Sequence, residues 1–261
     1  MTRVGCGFGF VIIFLTAHCK KSENPLDSPL EIITPKKTPE ANLRKIDPAT
    51  TGVLQGTVSF SGTTPKPTAI PLGGVPECKR QHKTTPLSEN VVVSTKGELQ
   101  NVFVYLQSGL EDYLFEIPSQ EIFIDQKGCI YSPHVVGVQV KQPVTFINSD
   151  AFLHNVHTHP EHNRSDNFSM PSSGMRSTKT FSKPEVMVRI KCDVHPWMEA
   201  FIGVLPHPYF AVTKSDGRFN ITNIPVGSYT LKLWHETLGE KTTTVVIKTG
   251  ETTMVGLTYK S

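Results

Sequence analysis

From Gly52 onward the chain is a succession of short runs rich in Val, Ile, Phe and Thr, each closed by Gly, Pro, Asn or Asp. That punctuation favours strands joined by tight turns. The clearest runs are Val53 to Phe60, Asn101 to Leu106, Val135 to Val140, Val144 to Asn148, Glu185 to Cys192 and Phe201 to Leu205. From Val188 on, apolar residues alternate with others up to Cys192, as in a strand with one face in a core. No convincing amphipathic helix interrupts the series. The chain is expected to be all-β, a sandwich or a barrel. Its 261 residues, 38% of them hydrophobic, suffice for one large core or two small ones. A formal net charge of +3 is too small to point to a nucleic-acid partner.

The ends carry different information. Arg3 precedes an apolar stretch from Val4 to Ala17 that is too short to span a bilayer as an ordinary helix, and so reads as an export segment. Leu15-Thr16-Ala17-His18-Cys19 resembles a bacterial lipobox, whose Cys is acylated and becomes the first mature residue, although His18 stands where that motif has a small residue. A lipid anchor in the membrane and an ordinary cleaved signal both remain open. Either places the mature chain in the periplasm or cell envelope. Residues 20–51 are polar and Pro-rich and are expected to form a flexible linker.

With Cys6 and Cys19 set apart, Cys78, Cys129 and Cys192 remain. An odd count in an oxidising compartment asks for one thiol with a separate task. A Cys78–Cys129 disulfide would leave Cys192 free. The pairs Cys78-x3-His82 and Cys129-x4-His134 keep a separate Cys/His metal site open as the alternative.

After Pro208 the strands come at tight, regular spacing: Tyr209 to Thr213, Arg218 to Thr222, Ser228 to Trp234, Thr242 to Lys248 and Thr252 to Thr258. Gly217 and Gly227 supply turns, Pro225 fixes φ, and Phe219, Ile221, Tyr229 and Leu231 alternate into a core. Asp216 to Ile221 and Asn223 to Leu231 resemble the carboxypeptidase regulatory-like, or transthyretin-like, β-sandwich family. That resemblance implies a fold and little chemistry.

The stretch Val144-Thr145-Phe146-Ile147-Asn148 leads to His154-Asn155, and Ile190-Lys191 leads to Cys192-Asp193-Val194-His195-Pro196-Trp197-Met198. One thiolate, two imidazoles and a weak thioether make the donor set of a blue copper site, and Cys-x2-His-x2-Met places three of the four on one loop after a strand. In this the chain resembles the cupredoxins over roughly residues 90–205, with the short loop spacing of amicyanin. The resemblance implies a Greek-key β-sandwich holding type 1 copper through His154, Cys192, His195 and the axial Met198. It also implies that Asn155 ties the two ligand loops together and that His195 reaches the surface as the electron port.

The expected organisation is an export segment 1–19, a linker 20–51, a copper domain 52–206 with an N-terminal extension, and a smaller sandwich 207–261. The expected function is exported electron transfer with redox partner proteins, without enzymatic activity. Copper sequestration or delivery, and a structural envelope protein with a vestigial ligand set, are the alternatives. His157, His159 and His162 follow His154 closely and pose a second metal site against a solvated polar loop. His207 and His235 are expected to be structural. No Gly-rich phosphate loop or nucleophile–base spacing is present.

Overall fold

The structure is a computed structural model, and it describes residues 43–260. The expected export segment and the linker as far as residue 42 lie outside the described residues. The described end of the linker already belongs to the fold. The Arg44 amide donates to the Asp112 carbonyl at 2.7 Å and the Leu114 amide to the Arg44 carbonyl at 3.1 Å. A 3-10 turn at Pro48–Thr50 then leads into the first strand.

The strands are β1 (Thr51–Ser61), β2 (Phe103–Ser108), β3 (Ile122–Lys127), β4 (Ile130–Ser132), β5 (Val135–Gln139), β6 (Val144–Asn148), β7 (His154–His159) and β8 (Asn167–Met170). They continue with β9 (Met175–Lys179), β10 (Glu185–Lys191), β11 (Glu199–Leu205), β12 (Phe210–Val212), β13 (Arg218–Pro225), β14 (Gly227–His235), β15 (Gly239–Ile247) and β16 (Thr252–Lys260). Between β1 and β2 lie a 3-10 turn, Leu72–Gly74, and a short helix α1, Pro76–Arg80. The fold is all-β, as expected.

Among the described residues, four sheets form: β4-β3-β6-β9, β5-β11-β10-β7-β8, β12-β2-β14-β15 and β13-β1-β16. Ile124 and Phe146 of the first sheet pack with Val156, Ile190 and Ile202 of the second. Val104, Leu106, Leu231 and Leu233 of the third pack with Leu54, Val58, Phe219 and Ile221 of the fourth. The two sandwiches then meet through a third core, in which Val135, Phe201 and Leu205 of the second sheet meet Phe103 and Tyr105 of the third.

The sequence encodes this stacking. β2 reads Phe103-Val104-Tyr105-Leu106 and β11 reads Ala200-Phe201-Ile202-Gly203-Val204-Leu205, unbroken apolar runs rather than alternating ones. Such a run is what a strand carries when both its faces are covered. Successive side chains point to opposite faces, so Phe103 and Tyr105 enter one core while Val104 and Leu106 enter another. The sheets approach so closely that a Cβ built on Gly203 would lie 2.4 Å from the Phe103 ring, and one on Gly137 2.3 Å from the Phe210 ring.

Strand pairing divides the chain differently from the boundary expected at 206/207. β1 runs antiparallel to β13 and parallel to β16, while β2 pairs with β12 and β14. The second sandwich therefore takes two strands from within the expected copper domain of 52–206. Its C-terminal strands leave an incomplete pair of sheets on their own, and β1 and β2 complete them. The first sandwich starts at β3.

Candidate metal centre

The first sandwich gathers the sequence-predicted residues at one end. His154 opens β7, and Cys192 follows β10 directly. Asn148 shapes the loop before His154: its carbonyl oxygen Oδ1 accepts from the Asp150 amide at 2.9 Å, and its Nδ2 donates to the Phe152 carbonyl at 3.0 Å and the Met170 carbonyl at 2.7 Å. The β10–β11 loop closes on itself, with the Met198 amide donating to the His195 carbonyl at 2.9 Å and the Cys192 amide to the Met198 carbonyl at 3.3 Å.

His154 Nδ1 lies 3.0 Å from His195 Nδ1, which lies 3.8 Å from Cys192 Sγ. The donor atoms of all three residues fall within 4.8 Å of one another. Metal–imidazole bonds of about 2.0 Å and metal–thiolate bonds of about 2.3 Å span such separations. Met198 sits on the same loop, buried in the same core as Cys192. The donor set of two imidazoles, one thiolate and a neighbouring thioether fits copper.

His154 is oriented from behind. Its Nε2 meets Asp150 Oδ2 at 2.9 Å. A carboxylate only accepts, so Nε2 carries the proton and the Nδ1 lone pair of the neutral ring faces His195 and Cys192. Asp150 in turn accepts from the amides of Gly128 at 2.8 Å and Cys129 at 2.9 Å. Those amides converge because Gly128 and Cys129 both have positive φ, 62° and 57°, in the two-residue turn between β3 and β4. Asn155 joins the ligand loops: its amide reaches Cys192 Sγ at 3.5 Å, and its Oδ1 accepts from the Asp193 amide at 2.5 Å.

Burial disfavours the His154 imidazolium, but the hydrogen bond to Asp150 and the negative charge of Asp150 and Cys192 nearby favour it more, so its pKa is raised above the ordinary histidine value. Burial also disfavours the Cys192 thiolate. The neighbouring His154 imidazole and the amides around the sulfur, that of Asn155 hydrogen-bonded to it, reverse this and leave the thiol below its ordinary value. His195 is held low by burial and by charge on His154. The surroundings of Cys192 thus favour its thiolate.

Two expectations change. His195 is only 3% exposed, so it does not reach the surface as a port. Phe152 and Trp197 flank it, with ring centroids 6.3 and 5.4 Å away. Cys78 and Cys129 form a disulfide, whose sulfurs lie within 4.8 Å of a His195 ring nitrogen. The alternative Cys/His metal site is accordingly absent. His82 Nε2 instead meets the Gly128 carbonyl at 2.7 Å, and His134 is bound between Glu236 and the Glu199 carbonyl.

Among the described residues, no cluster of three metal-binding side chains includes His157, His159 or His162. His157 and His159 lie with ring centroids 4.0 Å apart and planes tilted by 36°, and His157 Nδ1 contacts Asp193 at 3.1 Å. His207 and His235 are buried in the second sandwich, as structural histidines. Asp150 was not singled out from the sequence. Its signal is an acidic residue four positions before a ligand His, in a loop that a buried Asn148 turns inward.

Residues 207–255 match the family model described as polysaccharide lyase family 4, domain II. This is the stretch likened above to the carboxypeptidase regulatory-like family, and it is a minor part of the chain. No curated protein matches the chain. A copper(I) form of a mutant amicyanin is similar at 24% identity over 34% of this chain and 86% of that one, with a TM-score of 0.30. A purple cupredoxin from Nitrosopumilus maritimus is similar at 22% identity over 32% of this chain and 98% of that one, with a TM-score of 0.27. These neighbours are cupredoxins. A copper-containing nitrite reductase from Thermus scotoductus SA-01 is similar at 24% identity and a TM-score of 0.28, over 38% of this chain and only 25% of the reductase. At such scores the likeness carries no argument about chemistry, and the reading of the site rests on its own side chains.

Proposed function

We propose that this chain is an exported type 1 copper protein that transfers electrons, with His154, Cys192, His195 and Met198 around the ion. The observation that carries this reading is a thiolate and two imidazoles sharing one buried point, with one imidazole fixed by a carboxylate. Copper held there would supply one-electron exchange between its two oxidation states. His154, Cys192, His195 and Met198 are each no more than 3% exposed. A metal centre that works on a substrate keeps a position open to it, whereas a sealed one suits electrons passed through the protein to a partner.

The remaining residues hold this arrangement. Asp150 keeps the Nε2 proton of His154 and so directs its Nδ1. The Asn155 amide donates to the thiolate, and its side chain pins Asp193 beside it. Phe152 and Trp197 exclude water from the imidazoles, and Trp197, partly exposed, is the aromatic route from His195 outward. Export, a lipid anchor and protein redox partners belong to this proposal. The Cys78–Cys129 disulfide supports an oxidising compartment.

The test is the visible spectrum of copper-loaded protein with Cys192 present or replaced. Cys192→Ser is expected to abolish the intense thiolate-to-copper band and leave a folded β protein. A variant as strongly coloured as the parent would remove Cys192 from the centre.

A further inference from the structure

Residues 61–90 run from the last residue of β1 into the excursion that leads to β2, and they reach the His195 edge of the site through Cys78, whose sulfur lies within 4.8 Å of a His195 ring nitrogen. Only Leu72 and Cys78 among these thirty residues are buried. The excursion is cinched at its base, where Ala69 bridges Leu87, the Ile70 amide donates to the Pro86 carbonyl at 2.9 Å and the Ser88 amide to the Thr68 carbonyl at 2.8 Å. Its tip is α1, five residues long, whose one buried residue is Cys78. A helix this short has no stability of its own. The Cys78–Cys129 bond fastens it, together with the His82–Gly128 contact just past its end and the packing of Leu72 and Val75 before it.

Cys129 is also the point where the two ligand loops meet. Its amide donates to Asp150, the residue that orients His154. Its carbonyl accepts from Trp197 Nε1, within the Cys192–Met198 loop, at 3.0 Å. One residue thus carries the strap and touches the supports of both imidazoles.

Resting on the copper reading, we propose that the Cys78–Cys129 disulfide is a redox-sensitive clasp on the metal centre. Oxidised, it holds the strap of residues 69–87 over His195 and keeps the ion from external ligands. Two thiols of a reductant pass two electrons and two protons to the pair, leaving Cys78 and Cys129 as thiols and the reductant as its own disulfide. The sulfurs are buried, so this exchange proceeds through local opening of the strap. With the link cut, α1 loses its anchor, the edge of His195 opens and copper exchanges with acceptors outside.

The experiment uses the full chain loaded with copper and reduced to copper(I) by ascorbate, which leaves the disulfide intact. Transfer of copper(I) to bicinchoninate is followed by absorbance. The same is done for Cys78→Ala/Cys129→Ala and for wild type treated with a water-soluble phosphine, which ends as its oxide while the disulfide becomes two thiols. Transfer is expected to be at least about tenfold faster from both, the scale on which lost supporting contacts weaken metal sites. Reoxidation of the phosphine-treated protein should restore slow transfer, which separates the clasp from misfolding of the variant. Equal rates from intact and cleaved protein would overturn the clasp while leaving the copper reading in place. Failure of the intact protein to take up copper would overturn the copper reading, and the clasp with it.

Discussion

Asp150 bonds a proposed ligand and Met198 shares the ligand loop and its core, so replacing them should separate orientation from tuning. Asp150 fixes the proton on His154 Nε2 and gathers two backbone amides. Asp150→Asn keeps the shape but removes the charge, and copper affinity is expected to fall about 10–100-fold. Met198 is the weak axial donor, so Met198→Leu should keep one copper and a strong visible band while the reduction potential rises. Chelator competition and voltammetry on both variants check this. An unmoved potential in Met198→Leu would make Met198 core packing only. His154, Cys192, His195 and Met198 were legible because ligand chemistry is written in residue type and spacing. Asp150 and the closed position of His195 were not, because they depend on a turn at Gly128–Cys129 and on a strap tens of residues away.

The strands facing solvent on one side and those buried on both obey different patterns, and this sets what each element tolerates. Gly203 in β11 lies where Phe103 of the adjoining sandwich presses closest. Gly203→Val would force the sheets apart, and a loss of about 1–3 kcal/mol is expected from denaturant unfolding, as for other overpacked cores. A neutral result would show that the two sandwiches slide freely there. β6 was read from the sequence with its full bounds, Val144–Asn148, and β10 with its start at Glu185. β8 and β9 escaped because Asn167-Phe168-Ser169-Met170 and Met175-Arg176-Ser177-Thr178-Lys179 are short and mostly polar, and they become strands only by pairing with β7 and β6.

At the scale of the whole molecule, two sandwiches share a core and the first, β3 to β11, is inserted between β2 and β12 of the second, so they are expected to unfold together. Strand pairing departs from a division at 206/207 because β1 and β2 carry no mark of which strands they will join; the register with β13, β14 and β16 decides it. The second sandwich also sets an acid limit. Burial lowers the pKa of His207 to about 4 and that of His235 to about 4. Both rings are neutral in the fold and protonate more readily when unfolded, near the ordinary value of 6.5. Their contribution is therefore fully present above about pH 6.5 and is lost as pH falls from there toward about 4. Melting temperatures measured from pH 7 to pH 4 should decline, and less steeply in His207→Gln; identical slopes would exclude His207 as a cause.

Whether Cys192 and two histidines hold type 1 copper is decided by electron paramagnetic resonance of the copper(II)-loaded full chain, recorded with its visible spectrum. One copper per chain, an intense thiolate-to-copper band and the narrow parallel hyperfine splitting that a covalent copper–sulfur bond produces are expected. A weakly coloured protein with the wide splitting of an ordinary tetragonal copper site would contradict that assignment.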